Sequence, residues 1–456
     1  MRTPHAPIAA VRAPLLCALL GTLLTLAACT RGERGEQPPV RVSDTAPAPS
    51  PASTAPATPP SAPARSSESS ALAEPAASEE FLARCREAAA YSRANDGEVM
   101  LVLLHGTPVF EDTAPGFTVQ SPYVLASGTK SFCGVAAVCA VADGLLTLDE
   151  PVSSTIHEWK DDPRKSGVTI RQLLTLSSGL EGLSSTIDSR ANAREAGVTD
   201  RAKASVAARS LADPGERFIY GPSSFYVFGE LLKRKLAAAK TGDADLEAYL
   251  DRRIFTPIGI HPSFTRDEAG NANFAGGCRL NAAEWARFGE FLRNGGTHEG
   301  KSLLAPELVA EMLRATGPNQ RYGLTWWLLV PGAGNEEDDV ADGLLADRLE
   351  ARDGPIGRRL AQRLRERAEG RANGNTGNDA SESSAPTTAS DGGSHAETDE
   401  RPASIIGYSA AGKGKQRLLI LPDHGLTIVR FGPLTGSAGF ENERFLELLL
   451  GPDVKR

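Results

Sequence analysis

Strand-forming runs lie at both ends of the folding part of this chain, and the residues between them read as helices. Near the start, EVMLVLL (residues 98–104) is β-branched and Leu-rich, Gly106-Thr107-Pro108 turns the chain, and Val109-Phe110 begins a return, the pattern of a hairpin. Near the end, residues 403–408, 416–421 and 426–431 read as strands separated by Gly-rich or Pro-Asp turns, and residues 440–450 as a closing helix. Residues 79–94 have helical spacing through Phe81, Leu82, Cys85, Ala88 and Ala89, stopped by Asn95-Asp96-Gly97. In between, residues 132–142 are almost wholly apolar or small, and a helix apolar on nearly all sides is buried. Shorter helices are expected at 168–176 and 224–235, and Asn281 with Glu284 resembles a capping box opening a helix that places Trp285, Phe288 and Leu292 on one face. Strands from both termini with helices between them predict an α/β (α+β) fold. One antiparallel layer is assembled from both ends of the chain, flanked by helices, with a mainly helical subdomain inserted.

Three segments stand outside that pattern. Residues 13–28 (APLLCALLGTLLTLAA) carry no charge and follow Arg2 and Arg12; the run is short for a membrane span and reads as a signal peptide over residues 1–28. It ends in Leu26-Ala27-Ala28-Cys29, which resembles the lipobox of bacterial lipoproteins and implies cleavage before Cys29 and lipid attachment to its sulfur. Thr30 rather than Asp follows, which by the same resemblance favours the periplasmic face of the outer membrane. Residues 29–78 are dominated by Pro, Ala, Ser and Thr and read as an extended tether, because they cannot bury enough apolar surface to offset chain entropy. Residues 330–402 begin acidic, turn Arg-rich and end as a Gly, Asn, Ser and Thr tract, the composition of a disordered surface insertion. The folding domain is therefore expected over 79–329 and 403–453. The net charge of −8 and the lack of a basic stripe argue against a nucleic-acid partner. Of the six cysteines, Cys85, Cys133, Cys139 and Cys278 fall in the domain, too few for a disulfide framework in a domain this large, and read as buried free thiols.

The chemistry is carried by LASGTKSF (residues 125–132). A lone S-x-x-K arises about once by chance in a chain of this length, so its surroundings must decide. Here Ser127 opens the apolar helix, and Lys130 lies three residues on, where its amine can fold back to the hydroxyl. A dry floor favours the neutral amine, and first-turn N–H groups offer the start of an oxyanion hole. Tyr220, in PGERFIYGPSS (residues 214–224), is the candidate proton shuttle, since tyrosine and lysine have close intrinsic pKa values; a core tyrosine is the alternative. Rival centres are absent from the sequence: no G-x-S-x-G elbow, no H-E-x-x-H or paired Cys/His spacing among the seven histidines, no phosphate loop. No metal and no organic cofactor is implied.

The order of segments resembles the class C β-lactamase and penicillin-binding-protein-like serine hydrolases. LASGTKSF is similar to the S-x-T-K motif, with Thr129 as its threonine, and VTIRQLLTLSSGL (168–180) to "ITVRHLLTMTSGL". PGERFIYGPSSFYVFGELL (214–232) is similar to "PG-x-x-F-x-Y-S-N…LLG", AGGCRLNAAEWARFGEFLRNGG (275–296) to "GGL-x-x-T-A-x-D-x-A-R-F-G", and YGLTWWL (322–328) to "YGYGWW". The resemblance implies a β-lactamase/transpeptidase-like fold and an acyl-serine enzyme acting on a small-molecule or peptide substrate, with catalytic Ser127, Lys130 and Tyr220.

Two departures matter. Pro222 stands where the Y-x-N asparagine would be, with Ser223 or Ser224 as conceivable substitutes. The third motif lacks a clean K-T-G; GYSAAGKGKQ (407–416) resembles the "ASGAGGQ" run of esterases and aminohexanoate hydrolases. It implies a substrate strand near 407–410, with Ser409 and Ala410 beside the oxyanion. Apart from that run, Ser223 and Trp326 are candidates for the substrate pocket, with Trp327 next to the latter; buried core is the alternative for at least one of the two tryptophans. The departures weigh against an efficient β-lactamase and toward an esterase, amidase or peptidase. Two alternatives stay open: a D-amino-acid peptidase or transpeptidase-like cell-wall enzyme, and a non-catalytic binder of wall peptides or protein partners.

Overall fold

The computed structural model describes residues 77–336, 340, 359–364, 366, 405–437 and 439–451. The signal segment, nearly all of the tether and most of 337–404 lie outside the described residues. Ser78, placed at the end of the tether from sequence, caps the first helix: its Oγ accepts from the Phe81 N–H at 3.1 Å.

Eleven strands are described: β1 (Val99–Leu104), β2 (Thr107–Thr113), β3 (Tyr123–Val124), β4 (Ser263–Phe264), β5 (Cys278–Leu280), β6 (Thr297–His298), β7 (Lys301–Ser302), β8 (Trp327–Leu329), β9 (Gly407–Gly412), β10 (Gln416–Leu421) and β11 (Leu426–Phe431). Six form the main sheet in the order β2-β1-β11-β10-β9-β8, with every pair antiparallel. The N-terminal hairpin joins the C-terminal strands by pairing β1 with β11, from Val99 opposite Phe431 to Leu104 opposite Leu426. The hairpin turn is His105-Gly106 rather than 106–108. Both residues have positive φ, 49° and 89°, the twist that a two-residue hairpin demands. Pro108 thus lies in β2, the sheet's edge, next to a register shift where a missing N–H is tolerated.

The central strands are buried on both faces because both carry apolar side chains. Met100, Val102, Leu419, Leu421 and Ile428 pack under the helices Glu79–Ala94 and Asn442–Leu450, with Cys85, Ala88, Phe445 and Leu449. Leu101, Leu103, Leu418, Ile420 and Val429 face the larger core, with Trp285, Phe288 and Leu292 of the helix Ala282–Arg293 and the helix Ser131–Ala142. The arrangement is mixed α and β around an antiparallel sheet assembled from both ends of the chain, as the sequence predicts. Asn281 caps Ala282–Arg293 by accepting from Glu284 N–H at 2.9 Å, while the Glu284 carboxylate accepts from Asn281 Nδ2 and the His261 N–H. Cys85, Cys133, Cys139 and Cys278 are buried free thiols.

Two readings are corrected. The strand placed at 403–408 is β9, Gly407–Gly412, shifted into the small-residue run GYSAAG. The insertion also starts later than 330. Residues 330–336 belong to the fold: Arg321 guanidinium nitrogens donate to the carbonyls of Ala333 (2.8 Å) and Gly334 (2.9 Å). Glu336, from a run that composition marks as exposed, is 1% exposed. Its carboxylate accepts from Ser409 Oγ (2.5 Å) and Asn442 Nδ2 (2.7 Å) and lies 3.4 Å from the buried Arg417 guanidinium. Glu336→Ala would remove a carboxylate from beside the buried Arg417 guanidinium and take the acceptor from Ser409 Oγ and Asn442 Nδ2. Urea denaturation should show a loss of about 3–5 kcal/mol, and a loss below about 1 kcal/mol would mean that the pair behaves as a solvated one.

Candidate active site

Residues 126–130 do not form the first turn of an α-helix. They form a 3-10 turn, Ala126–Lys130, that leads into the α-helix Ser131–Ala142. Three residues per turn eclipse the side chains at i and i+3, so Ser127 and Lys130 stand one above the other. Lys130 Nζ donates to Ser127 Oγ at 3.0 Å. Ala126 enters the turn with φ 47°, a strained value for a residue with a Cβ. Thr129 holds the turn: its Oγ1 donates to the Ala126 carbonyl at 2.7 Å and accepts from the Cys278 N–H at 3.2 Å. Ser131 Oγ donates to the Gly128 carbonyl at 2.8 Å. The Gly128 N–H is taken by the Leu125 carbonyl at 3.0 Å, so the first-turn amides are not all open to the site.

Lys130 is 3% exposed, whereas Ser127 is half-buried and open to solvent on one side. The amine also donates to the carbonyl of Ala275, and it lies 5.0 Å from the Tyr220 ring centre and 5.3 Å from that of Phe225. Burial pulls the Lys130 pKa down to about 8, against weaker opposing effects of Asp188 and Cys133. Desolvation is the cause to weigh most, because the nearest neighbours are aromatic rings and neutral oxygens.

Tyr220 reaches the lysine on a stretch pinned to residues 176–182. Ile219 N–H donates to the Leu176 carbonyl at 2.8 Å, and Gly215 N–H to Ser177 at 2.7 Å. Ser223, proposed from sequence as a pocket residue, is 1% exposed, and its Oγ donates to the Glu181 carbonyl at 2.7 Å. It buttresses the loop below Tyr220 and is not turned to the pocket. Pro222 begins the helix Ser223–Ala239 as its N-cap residue. Of the tryptophans, Trp326 is fully buried between Phe288 and Tyr408, with centroids 6.2 and 5.6 Å away. The adjacent Trp327 points the other way, stacks on Tyr220 at 6.2 Å and meets Tyr322 at 4.8 Å. The aromatic wall beside the lysine is therefore Trp327, not Trp326.

On the strand side, β9 approaches the serine turn through its last residue. A Cβ on Gly412 would collide with the Leu125 carbonyl oxygen and the Gly128 amide nitrogen, so only glycine permits this contact. Ser409 is turned to the opposite face, toward Glu336, and Ala410 is 2% exposed. The structure thus puts Gly412 against the serine turn and turns Ser409 away from it, while Ala410 is buried on the same face of β9 as Gly412. Sequence reading passed over Gly412, Asn273 and the Ala275 carbonyl. The first was signalled by the small-residue run, but a main-chain carbonyl carries no sequence signature. Among the described residues no group of His, Cys, Asp and Glu is arranged to hold a metal ion.

Residues 81–445 match the Beta-lactamase family, and the chain belongs to that family. Monacolin J acid methylbutanoyltransferase of Aspergillus terreus is 29% identical over 165 residues, which are 32% of this chain and 38% of that protein. Protein flp of Staphylococcus aureus is 25% identical over 164 residues, 35% of this chain and 32% of its own. The matches thus span about a third of these relatives' length. Among solved structures, a 6-aminohexanoate-dimer hydrolase from Bacillus anthracis superposes with a TM-score of 0.52 at 17% identity, covering 78% of each chain. A penicillin-binding-protein homologue from Caulobacter crescentus gives 0.52 at 15% identity, covering 82% of this chain and 97% of its own. EstCE1, a hydrolase with promiscuous acyltransferase activity, gives 0.53 at 15% identity, covering 82% and 98%. At these identities the superpositions establish the fold.

A base must be neutral to accept a proton, so a reaction at Ser127 assisted by Lys130 should accelerate as pH rises, with a midpoint near 8. A lysine at its ordinary pKa of about 10.4 would place that midpoint more than two units higher. The pH dependence of the rate of covalent labelling of Ser127 measures it.

Proposed function

We propose that this chain is a serine hydrolase that transfers the acyl group of an ester or amide to Ser127 Oγ and then to water. The observation that carries the reading is the 3.0 Å contact between Ser127 Oγ and a lysine amine that burial pulls toward neutrality. In the first half-reaction Lys130 Nζ takes the hydroxyl proton as Oγ bonds to the substrate carbonyl carbon. The oxyanion develops beside the backbone at Gly412. The carbonyl re-forms as the bond to the leaving group breaks, and the leaving group takes the proton from Lys130 directly or through the Tyr220 hydroxyl. Water then repeats the sequence on the acyl-serine, releasing the acid and returning the proton to Ser127. Hydrolases and acyltransferases among the relatives support this class of chemistry.

Intact mass after exposure to a fluorophosphonate probe, and separately to a penicillin, tests the reading. Wild type should gain one probe adduct, Ser127→Ala none, and Lys130→Ala should label at least about 100-fold more slowly. A folded wild type that takes up no probe would overturn the reading. A penicillin adduct would shift it toward the cell-wall peptide enzymes.

We further propose that the chain is exported and anchored through a diacylglycerol on Cys29, from the lipobox-like LAAC and the Pro/Ala/Ser-rich stretch behind it. Radiolabelled palmitate should enter the wild-type protein in a bacterial host and not Cys29→Ala. Equal labelling of both would defeat the proposal.

A further inference from the structure

The turn that accepts the lysine's second hydrogen bond is held by a side chain to which sequence reading gave no role. Asn273 is 7% exposed, and its Oδ1 accepts from two successive backbone amides, Ala275 N–H and Gly276 N–H, each at 3.1 Å. The second bond has a geometric consequence. The Gly276 N–H and the Ala275 carbonyl belong to one planar trans peptide, in which they point in opposite directions. Tying the N–H to Asn273 on one side turns the carbonyl to the other, where it accepts from Lys130 Nζ. Asn273 is itself fixed: its N–H donates to the Thr265 carbonyl at 2.8 Å, and its carbonyl accepts from the Gly277 N–H at 2.9 Å. Beyond the turn, Cys278 N–H binds Thr129 Oγ1, and the Cys278 carbonyl accepts from Leu125 N–H at 2.9 Å. The segment 273–278 is thus laced to residues 125–130 on both sides of the lysine.

We infer that Asn273 is a positioning residue for Lys130: by orienting the Ala275–Gly276 peptide it aims the Ala275 carbonyl that holds the amine over Ser127 Oγ. The inference rests on the proposed role of Ser127 and Lys130. An acceptor at that place restrains Nζ without adding charge, so it holds the amine in its neutral form as well as its ammonium form. Among the described residues few ionisable groups face the amine. Cys133 lies on its own helix, Tyr220 on the stretch before Ser223, Cys278 on β5 and the exposed Asp188 beyond the short helix Ser184–Ile187. Burial pushes both thiols well up, so they stay neutral. A carboxylate at 273 would be the closest new charge to the amine.

The test is the pH profile of fluorophosphonate labelling, read by intact mass, in wild type, Asn273→Asp and Asn273→Ala, with thermal melts alongside. Asn273→Asp keeps an oxygen acceptor for both amides and adds a negative charge, so the ammonium is favoured. Its midpoint should move up by about one unit, with labelling at pH 7 falling about tenfold and the high-pH plateau within about threefold of wild type. Asn273→Ala releases the peptide and should lower the plateau itself by about tenfold or more. A merely structural asparagine would lower melting temperature and active fraction but leave the midpoint where it was. Unchanged midpoint and plateau in the folded fraction of both variants would overturn the inference while Ser127 remains labelled in wild type. Failure of wild type to label at all would instead remove the reading of Ser127, and this role with it.

Discussion

The site depends on one amine being kept out of water. Moving the Lys130 pKa from its ordinary value to about 8 corresponds to disfavouring the ammonium by about 3 kcal/mol, a large fraction of a domain's net stability. The surrounding structure sustains it. The apolar helix Ser131–Ala142 gives the floor, Tyr220 and Phe225 give walls, and Ser127 and Ala275 give the two oxygens the amine needs. The 3-10 turn stacks Ser127 on Lys130, with the strained Ala126 tied down by Thr129.

The sheet matters because it brings a glycine to that turn. β9 ends in Gly412 against Leu125 and Gly128, and its other face is gripped by the buried cluster of Glu336, Asn442 and Arg417. Ser409 joins the two: it lies three residues before Gly412 and donates to Glu336 at 2.5 Å. An ionic cluster under a strand is a poor source of net stability, since desolvation offsets much of its attraction, but it tolerates few alternative positions for the strand it holds. Glu336, at the start of the acidic stretch, and the strand beside Ser127 therefore share one anchor.

Much of this was legible in the sequence where the signal is local. Helix 79–94, the apolar helix after Ser127 and the strands at both ends follow from periodicity, and the S-x-x-K spacing announced the Ser127–Lys130 contact. What escaped depends on register or on the main chain. Trp327 opens β8 and Trp326 immediately precedes it; the two point opposite ways, and the pairing of Trp327 with Ser409 sets which one meets Tyr220. Ser223 offers a hydroxyl on paper, yet the Glu181 carbonyl already occupies it. Glu336 heads an acidic run that composition marks as solvated, and its burial is visible only once Arg417 is seen opposite. Ala275 acts through its carbonyl, which every residue type possesses.

That last point bears on why a carbonyl suits the task. A carboxylate in contact with Nζ would hold the lysine as an ammonium, since an opposite charge at hydrogen-bond distance raises a lysine pKa. Among the described residues the carboxylate felt by Lys130 is Asp188, which is exposed, where solvent weakens its pull. A neutral carbonyl accepts from the amine in either protonation state and cannot itself titrate. It can therefore fix the position of Nζ while desolvation, the largest influence, sets its basicity. Position and basicity are then controlled by separate parts of the structure: the 273–278 turn for the first, the apolar helix and aromatic walls for the second. A change confined to the turn should disturb geometry with little effect on dryness, and a polar change in the helix should do the reverse.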